Sequence, residues 1–451
     1  MSKLIGFSIA ALLFTSCGVY KEYSRPEVEA DAQFRNAVNA SDTTTIASLS
    51  WRELFTDTCL QKLIEQGLRQ NTDLNVARLR VKEAEATLLN ARLSYLPSLS
   101  LTPEGGISRY SGETGKTYNL AASASWEVDI FGRITNAKRG AYAALEGSRD
   151  YVQAVQTRLI ATIANSYYML LMLDKQLQIG VQTLQSWEKS IHTLEALKRG
   201  GKANDAAVLQ ARANRMTLES SVLAIRKSIN ETENALATLL SLSPRPISRG
   251  ILADASFPDT LSAGVPLQLL SNRPDVRQAE RNLAQAFYAA NAARSAFYPN
   301  ITLSGSIGWT NNGGAVILNP GKWLLNAIGS LTQPLFNRGS NIANLKIVKA
   351  RQEEAMLQFR QSLLDAGKET NDALFQWQTA REQIAIGKRK IAILKEAVHK
   401  TELMMRHSST TYLDVLTAQQ SLLDAEQAQA QNLFDEIQGV INLYHAVGGG
   451  K

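Results

Sequence analysis

The chain of 451 residues is poor in proline, cysteine and histidine, and each shortage excludes a kind of structure. Its 11 prolines leave two long stretches empty, between Pro103 and Pro244 and after Pro334. Because proline is the main breaker of helices, both stretches can form very long helices. The two cysteines, Cys17 and Cys59, cannot build a disulfide framework, and the four histidines show no metal-ligand spacing. Stability must therefore come from packing or assembly, and no metal or cofactor is expected.

A strong charge imbalance is also missing. The chain has 48 Lys and Arg residues against 41 Asp and Glu, a net charge of +7 without any basic run. This balance argues against a nucleic-acid partner. The segment Gly115-Lys116-Thr117 resembles the end of a phosphate-binding loop, but the first glycine of that motif is replaced by Tyr110. We therefore reject nucleotide binding there.

The N-terminus reads as an export signal, because Lys3 precedes an uncharged apolar run from Leu4 to Phe14. This run is too short to span a bilayer, which predicts a secretory signal peptide over residues 1–16. Cys17 follows two small residues, as in the bacterial lipobox, where the cysteine is acylated. We expect Cys17 to attach to outer-membrane lipid and residues 17–58 to form a lipidated N-terminal segment. The alternative is an ordinary signal peptide that contains a cysteine.

The chain contains an internal duplication with an offset of about 202 to 207 residues. Residues 90–101 return in outline as 292–303, and Ile130-Phe131-Gly132-Arg133 returns as Leu335-Phe336-Asn337-Arg338. Residues 208–211 return as 415–418. The duplication predicts a first repeat over residues 59–243, a linker over 244–267 and a second repeat over 268–447.

Each repeat contains long tracts rich in Ala, Leu, Gln, Glu, Lys and Arg, the strong helix formers. These tracts predict helices over about residues 59–93, 134–199, 204–241, 268–296, 340–406 and 411–446. A helix over 134–199 would be roughly 100 Å long. The turns between the long helices fall at Arg199 to Lys202 and at His407 to Thr410.

Strands are predicted between the short and long helices of each repeat. Residues 117–130 and 300–310 alternate between apolar and polar side chains, a period of two. Their partners, at about 98–110 and 324–336, alternate less regularly. Such strands have the length of outer-membrane strands, with one face for lipid and one for a wet lumen. The alternative is a pair of ordinary hairpins packed on helices.

Four strands cannot close a barrel, and an open sheet edge in lipid leaves backbone groups without hydrogen bonds. The smallest barrels have about eight strands, and three chains would supply twelve. We therefore expect a homotrimer with a mainly α fold and a transmembrane β-barrel, in which the repeated strand and long-helix unit also builds a periplasmic α-helical tunnel.

Several motifs make the chain resemble the outer-membrane efflux protein family, the TolC-like channels, and specifically its lipoprotein branch. They are Asn71-Thr72-Asp73-Leu74, residues 126–133 (WEVDIFGR), residues 272–277 (NRPDVR) and residues 412–422 (YLDVLTAQQSL). The resemblance implies a homotrimeric, non-enzymatic exit duct for drugs or other small molecules. It also implies two partners, a periplasmic adaptor (membrane fusion) protein and an inner-membrane pump.

The resemblance places the two long-helix turns at a regulated periplasmic tip. It implies that Gly200, Gly201, Ser408 and Ser409 contact the adaptor and that Asp205, Asp414 and Tyr412 form the gate. Trimerisation would repeat each aspartate as a ring that attracts cations. The alternative is that both aspartates only cap the first turn of a helix.

Two other functions remain open at this point, a protein-secretion channel and a periplasmic coiled-coil scaffold without a pore. The amphipathic hairpins argue against the scaffold. Met404, Met405 and His407 near the second turn could pass a soft metal, but packing is the more common use of methionines on a helix.

Overall fold

The computed structural model describes residues 22–26, 46, 49–254, 257, 273–310, 322–406 and 411–449. The signal peptide, Cys17, Ser408 and Ser409 lie outside the described residues. The chain divides into two compact units. Unit 1 consists of residues 1–28, 79–150 and 277–362, and unit 2 consists of residues 29–78, 151–276 and 363–451. Each unit therefore draws on both predicted repeats.

Eight α-helices account for most of the described chain. They are α1 (Trp51–Leu54), α2 (Thr58–Gln70), α3 (Thr72–Leu93), α4 (Arg133–Arg199), α5 (Asp205–Leu239), α6 (Pro274–Ser295), α7 (Ser340–Arg406) and α8 (Tyr412–Ala446). The predicted long helices are confirmed to within two residues at each end. None of the described helices combines the length and the apolar character that a membrane span requires.

The prediction of a single helix over residues 59–93 is wrong, because two helices, α2 and α3, meet there at Asn71. The backbone of Asn71 ends α2 by donating to the Gly67 carbonyl, and its side-chain oxygen accepts from the Leu74 N–H at 2.9 Å. Its side-chain nitrogen donates to the Leu239 carbonyl, also at 2.9 Å. Asn71 thus ends one helix, caps the next and ties both to α5.

The duplication is visible in the lengths of the helices. The helices α3 and α6 each have 22 residues and start 202 residues apart. The helices α4 and α7 each have 67 residues, and α5 and α8 each have 35, with starts 207 residues apart. The growth of the offset therefore falls between α6 and α7, in the second hairpin and its connections.

Unit 1 contains a four-stranded antiparallel sheet in the order β1-β2-β3-β4. The strands are β1 (Ser98–Tyr110), β2 (Glu113–Val128), β3 (Asn300–Thr310) and β4 (Lys322–Thr332). The two hairpins join through β2 and β3, where Val128 pairs with Ile301 and Asn119 pairs with Thr310. The sheet is open, because the outer edges of β1 and β4 face no other described strand.

The strand register puts apolar residues of all four strands on one face. Leu101 pairs with Ala122, which pairs with Ile307, which pairs with Leu325. Directly paired residues of antiparallel strands share a face, and neighbours along a strand alternate. The opposite face carries Ser100, Ser123, Ser306 and Asn326 in one paired row. The alternation that was regular only in β2 and β3 thus extends across the sheet.

This apolar face is exposed in the protomer. The side chains of Leu99, Leu101, Ile107 and Leu325 are between 67% and 81% exposed. A contiguous apolar surface of this kind marks contact with another protein or with a membrane. Within the described residues, the sheet does not use this face to cover a core.

Unit 2 contains an extensive apolar core, to which every described α-helix except α6 contributes. Tyr167 and Tyr444 are nearly inaccessible to solvent, and so are Leu60, Ile64 and Leu170. Gly67 allows α2 and α4 to approach, because a Cβ atom there would lie only 2.4 Å from Ile163 Cδ1. The hydroxyl of Tyr167 donates to Asp57 at 2.5 Å and accepts from the Gly250 N–H at 2.9 Å.

Candidate functional site

The turn between α4 and α5 contains both predicted glycines. Gly201 has φ +72°, a left-handed conformation that side chains other than glycine adopt at a cost. The Lys202 N–H donates to the Leu197 carbonyl at 2.9 Å, and the Gly201 N–H donates to the Lys198 carbonyl at 3.0 Å. These are the two hydrogen bonds of a Schellman motif. Gly201 therefore ends the helix, whereas Gly200 has no such conformational requirement.

Asp205 does not cap α5, because Asn204 fills that position. The side chain of Asn204 accepts from the Ala207 N–H at 2.8 Å. The carboxylate of Asp205 instead pairs with Lys198 across the turn, with 2.5 Å between Nζ and Oδ1. Both side chains are largely exposed. The negative charge of Asp205 is thus partly balanced within its own turn.

Asp414 does serve as a cap. Its Oδ2 atom accepts from the backbone N–H of Thr411 at 3.0 Å and from the Thr411 hydroxyl at 2.7 Å. This is the backward half of a capping box, and it satisfies a donor at the start of α8. The carboxylate remains on the exposed surface. Capping and a gate role are compatible at this position.

Tyr412 lies in an apolar cluster that we call the tip cluster. The tip cluster consists of Ile191, Leu194, Val208, Ala211, Met405, Tyr412, Val415 and Leu416. Only 8% of Tyr412 is exposed, and burial raises the pKa of its hydroxyl to about 12. Met405 is buried in the same cluster, while Met404 is 45% exposed. Packing is therefore the role the structure gives Met405.

A groove of about 540 Å³ runs beside the tip cluster. Its lining includes Leu197, Lys202, Asn204, Gln210, Thr411 and Leu413. Neither Asn204 nor Gln210 was predicted from the sequence as a site residue, although an asparagine before a helical pattern is a recognisable cap signal that identifies Asn204. The groove brings the first turn together with Tyr412, whereas Ser408 and Ser409 lie outside the described residues.

Two features define the class of protein. Unit 1 has a sheet with an exposed apolar face and a polar face. Each half of the chain also has one helix of 67 residues followed by one of 35 residues. This combination is that of an outer-membrane channel with a helical extension.

Comparison with known proteins assigns the family. A model of the outer membrane efflux protein family matches residues 63–241 and 265–449, and the chain belongs to this family. The cation efflux system protein CusC of Escherichia coli K12 is 32% identical, covering 99% of this chain and 99% of CusC. The probable outer membrane lipoprotein SilC of Salmonella typhimurium is 28% identical, covering 99% and 98%.

The solved structures agree with this assignment. The outer-membrane channel OprN superimposes with a TM-score of 0.87 at 27% identity, covering 96% of this chain and 99% of OprN. The predicted mainly α, TolC-like fold is therefore confirmed. The protein is an outer-membrane efflux component that extends into the periplasm, and its family is one of transport channels.

Proposed function

We propose that three copies of this chain close a twelve-stranded barrel in the outer membrane and form a passive, gated exit duct. The open sheet carries this proposal, because β1 and β4 each present an outer edge to which no described strand bonds. In lipid those edges must pair, and β4 of one protomer can pair with β1 of the next. The exposed apolar face then meets lipid, and the polar face meets water.

Membrane reconstitution tests the duct. Detergent-purified protein is expected to be a trimer by native mass spectrometry and to give discrete conductance steps in planar bilayers. Extraction of the native protein should need detergent, because the apolar face lies in lipid. A protein that carbonate removes from membranes, or one that stays a water-soluble monomer, contradicts the barrel.

The proposal includes two partners. The long helices α4, α5, α7 and α8 form the periplasmic tunnel, and a periplasmic adaptor contacts Gly200, Gly201, Ser408 and Ser409. An inner-membrane pump supplies the energy, and its own pocket selects the cargo among drugs and other small molecules. CusC, which is 32% identical, is named as a cation efflux protein, so cations are one cargo class to test for this channel. Crosslinking in intact cells, followed by mass spectrometry, identifies the adaptor and pump that accompany the channel.

Cys17 is proposed as the attachment site of outer-membrane lipid, in a segment spanning residues 17–58. SilC, a relative over nearly the whole chain, is named as a probable lipoprotein. Intact-mass measurement should find acyl chains on the wild type and none on Cys17→Ala. A cleaved wild-type protein without added mass contradicts lipidation. The proposed duct consists of two repeats, over residues 59–243 and 268–447, joined by a linker over residues 244–267.

We further propose that Asp414 forms the main charged ring of the gate, with Asp205 and Tyr412 beside it. The carboxylate of Asp414 is exposed and held in one orientation by Thr411, whereas Asp205 shares its charge with Lys198. Three fixed carboxylates at a constriction attract counter-ions and hold the channel in a low-conductance state. Tyr412 supports this arrangement from the tip cluster.

Asp414→Asn should raise closed-state conductance, because it removes the ring charge but leaves a side chain of similar size. Thr411→Ala is the matched control, since it deletes the hydroxyl partner and retains the carboxylate. Asp205→Asn should change the conductance less than Asp414→Asn. Equal effects of Thr411→Ala and Asp414→Asn would show that helix capping, rather than the ring charge, controls conductance.

A further inference from the structure

Residues 22–25 are fixed on the surface of unit 1. The ring of Tyr23 packs edge-on against Phe287 of α6, with 5.7 Å between the ring centroids. Arg25 pairs with Glu280 of α6 at 3.4 Å, and Glu22 pairs with Arg139 of α4 at 3.0 Å. Three separate contacts therefore hold this short segment across α4 and α6.

A cavity of about 320 Å³ lies beside the docked Tyr23. Its lining includes four cationic side chains, from Arg92 of α3, Lys138 and Arg139 of α4, and Arg281 of α6. Glu146 is the one carboxylate in the lining, and it pairs with Arg149 at 3.0 Å. Because Arg139 is paired with Glu22, the excess of positive charge comes from Arg92, Lys138 and Arg281, and it makes the cavity attractive to an anion.

Two donors at this cavity are buried without a hydrogen-bond partner in the described chain. They are the hydroxyl of Tyr23 and the Nε–H of Arg281. The Nε atom of Arg281 lies 3.8 Å from the Asp150 carboxylate, which is too long for a hydrogen bond. Buried donors without acceptors are costly and uncommon, so an acceptor is expected at this point.

The Tyr23 hydroxyl remains a donor under all physiological conditions. Burial foremost, and then the negative charge of Glu280, raise its pKa to about 12. The Nε–H of Arg281 can only donate. A ligand that satisfies both Tyr23 and Arg281 must therefore bring acceptor oxygens, as a phosphate group does.

The cavity lies close along the chain to the proposed membrane segments. Arg92 precedes the start of β1 at Ser98 by only six residues, and Lys138 follows the start of α4 at Arg133 by five. Tyr23 follows Cys17 by six residues, a span of at most about 20 Å. Arg92 and Lys138 are thus the cations of the lining nearest to the proposed membrane segments, whereas Arg281 lies further along α6, 19 residues before the start of β3.

We propose that this cavity binds the phosphate of an anionic phospholipid headgroup from the periplasmic leaflet of the outer membrane. The proposal rests on the membrane placement of the sheet given above. Tyr23 and Arg281 donate to the phosphate oxygens, while Arg92 and Lys138 supply opposite charge. The glycerol and acyl chains, which inorganic phosphate lacks, would extend from the side of Arg92 and Lys138 towards the strands.

Native mass spectrometry of the full-length protein in detergent tests the site, with short-chain phosphatidylglycerol and sodium phosphate as the two probes. Phosphatidylglycerol should saturate with one lipid per protomer. Tyr23→Phe preserves the ring packing but removes the donor, and should weaken binding about tenfold. The double change Arg92→Gln and Lys138→Gln should weaken it further. Lys349→Gln, an exposed cation of α7 outside the cavity, should leave binding unchanged.

Three results would overturn the proposal. Equal affinity for sodium phosphate would make free phosphate the ligand. Unchanged binding by Tyr23→Phe and the double variant would exclude the cavity. A loss as large in Lys349→Gln would indicate unspecific charge attraction. Because binding is measured in detergent, it is independent of conductance, and Tyr23→Phe should conduct like the wild type. A wild type that binds lipid but never conducts would refute the duct and leave this site standing.

Discussion

Arg273 shows how a single residue of the NRPDVR segment stabilises unit 2. Its side chain is 3% exposed, yet it retains its charge because two carboxylates surround it. The Nη2 atom lies 2.6 Å from Asp275 and 2.8 Å from Glu369, and Nη1 donates to the Ala446 carbonyl at 2.9 Å. Removing either carboxylate would leave a buried charge partly unpaired. The sequence segment is therefore structural.

His445 at this site should make stability depend on pH. Burial is the main reason why the pKa of His445 is lower than the ordinary 6.5, and the positive charges of Arg273 and Arg158 lower it further. The negative charges of Glu369 and Asp275 oppose this shift only in part. The unfolded chain therefore binds a proton more readily than the folded chain. Stability is fully present above the unfolded pKa and falls as the pH drops below it. We expect a lower melting midpoint at about pH 5.5 than at about pH 7.5, measured by circular dichroism.

The variant His445→Gln should reduce this dependence, since it removes the titrating group. His399→Gln is the control, because His399 is exposed on α7. Asp275 acts in the same direction: burial alone would raise its pKa, but hydrogen bonds and charge from Arg273 lower it overall. Because this pKa is lowered from the ordinary 3.8, the contribution of Asp275 is lost only at more acid pH and should not affect the comparison of about pH 5.5 with about pH 7.5. An identical pH profile in the wild type and His445→Gln would exclude His445 as a contributor.

At the scale of elements, helix ends were predictable where their signals are local. Gly201 ends α4 and Asn204 starts α5 through contacts within a few residues, so local sequence signals locate this turn even though Asn204 itself was not selected as a site residue. The break at Asn71 was not predictable in this way. It depends on the Leu239 carbonyl, 168 residues away, and the flanking sequence has continuous helix propensity.

The strands show the same division. The pattern in β2 and β3 was regular enough to locate both, but β4 starts and ends earlier than predicted, at Lys322 and Thr332. The adjacent apolar residues Leu324 and Leu325, together with Gly329, interrupt the alternation there. The register of β4 is determined by its pairing with β3, and this pairing cannot be predicted from the sequence of one strand alone.

Gly308 is expected to be essential for the junction between the two hairpins. A Cβ atom at this position would lie 2.1 Å from the Leu120 carbonyl oxygen and 2.7 Å from Ala121 Cα, and backbone atoms in a sheet cannot yield. Gly308→Ala should therefore separate β2 from β3 locally. We expect a loss of several kcal/mol in stability, in the range of severe steric substitutions. The measurement is the yield of heat-resistant, folded protein in membranes.

Gly329→Ala provides the matched comparison on the neighbouring strand. The nearest atom to its added Cβ would be Leu303 Cδ2 at 3.5 Å, an ordinary contact. This variant should fold like the wild type. Equal yields from Gly308→Ala and Gly329→Ala would mean that the two hairpins do not approach as closely as β2 and β3 do here.

At the scale of the whole molecule, the sequence could predict an open sheet and the need for neighbours, because that argument only counts strands and hydrogen bonds. It could not identify the contacts between protomers. Those depend on which exposed apolar residues remain once the protomer is folded. Leu335 and Phe336, between β4 and α7, are 93% and 86% exposed. Such exposure is unusual for two adjacent large apolar side chains.

The duplication indicates what covers Phe336. Its counterpart Phe131 follows β2 and stacks on Tyr298, which precedes β3, with ring centroids 5.0 Å apart. Phe336 follows β4, whose proposed partner is β1 of the next protomer. The residue equivalent to Tyr298 is Leu96, which precedes β1 and is 61% exposed. We therefore expect Phe336 to pack against Leu96 of the neighbouring subunit.

Disulfide trapping tests this contact. Phe336→Cys combined with Leu96→Cys should form bonds between protomers under mild oxidation, because a disulfide needs Cα atoms within about 7 Å. Non-reducing gels should then show covalent dimers and trimers. Phe336→Cys alone should stay monomeric on the gel. Phe336→Cys paired with Leu89→Cys should also stay monomeric, because Leu89 is an exposed residue further back on α3.

Phe336→Ala should also lower the temperature at which trimers dissociate, since each buried phenylalanine contributes about 2 kcal/mol. If the double variant forms no covalent trimer while the wild type is trimeric, Phe336 does not contact Leu96 of the neighbouring subunit in the way that Phe131 contacts Tyr298 within the chain.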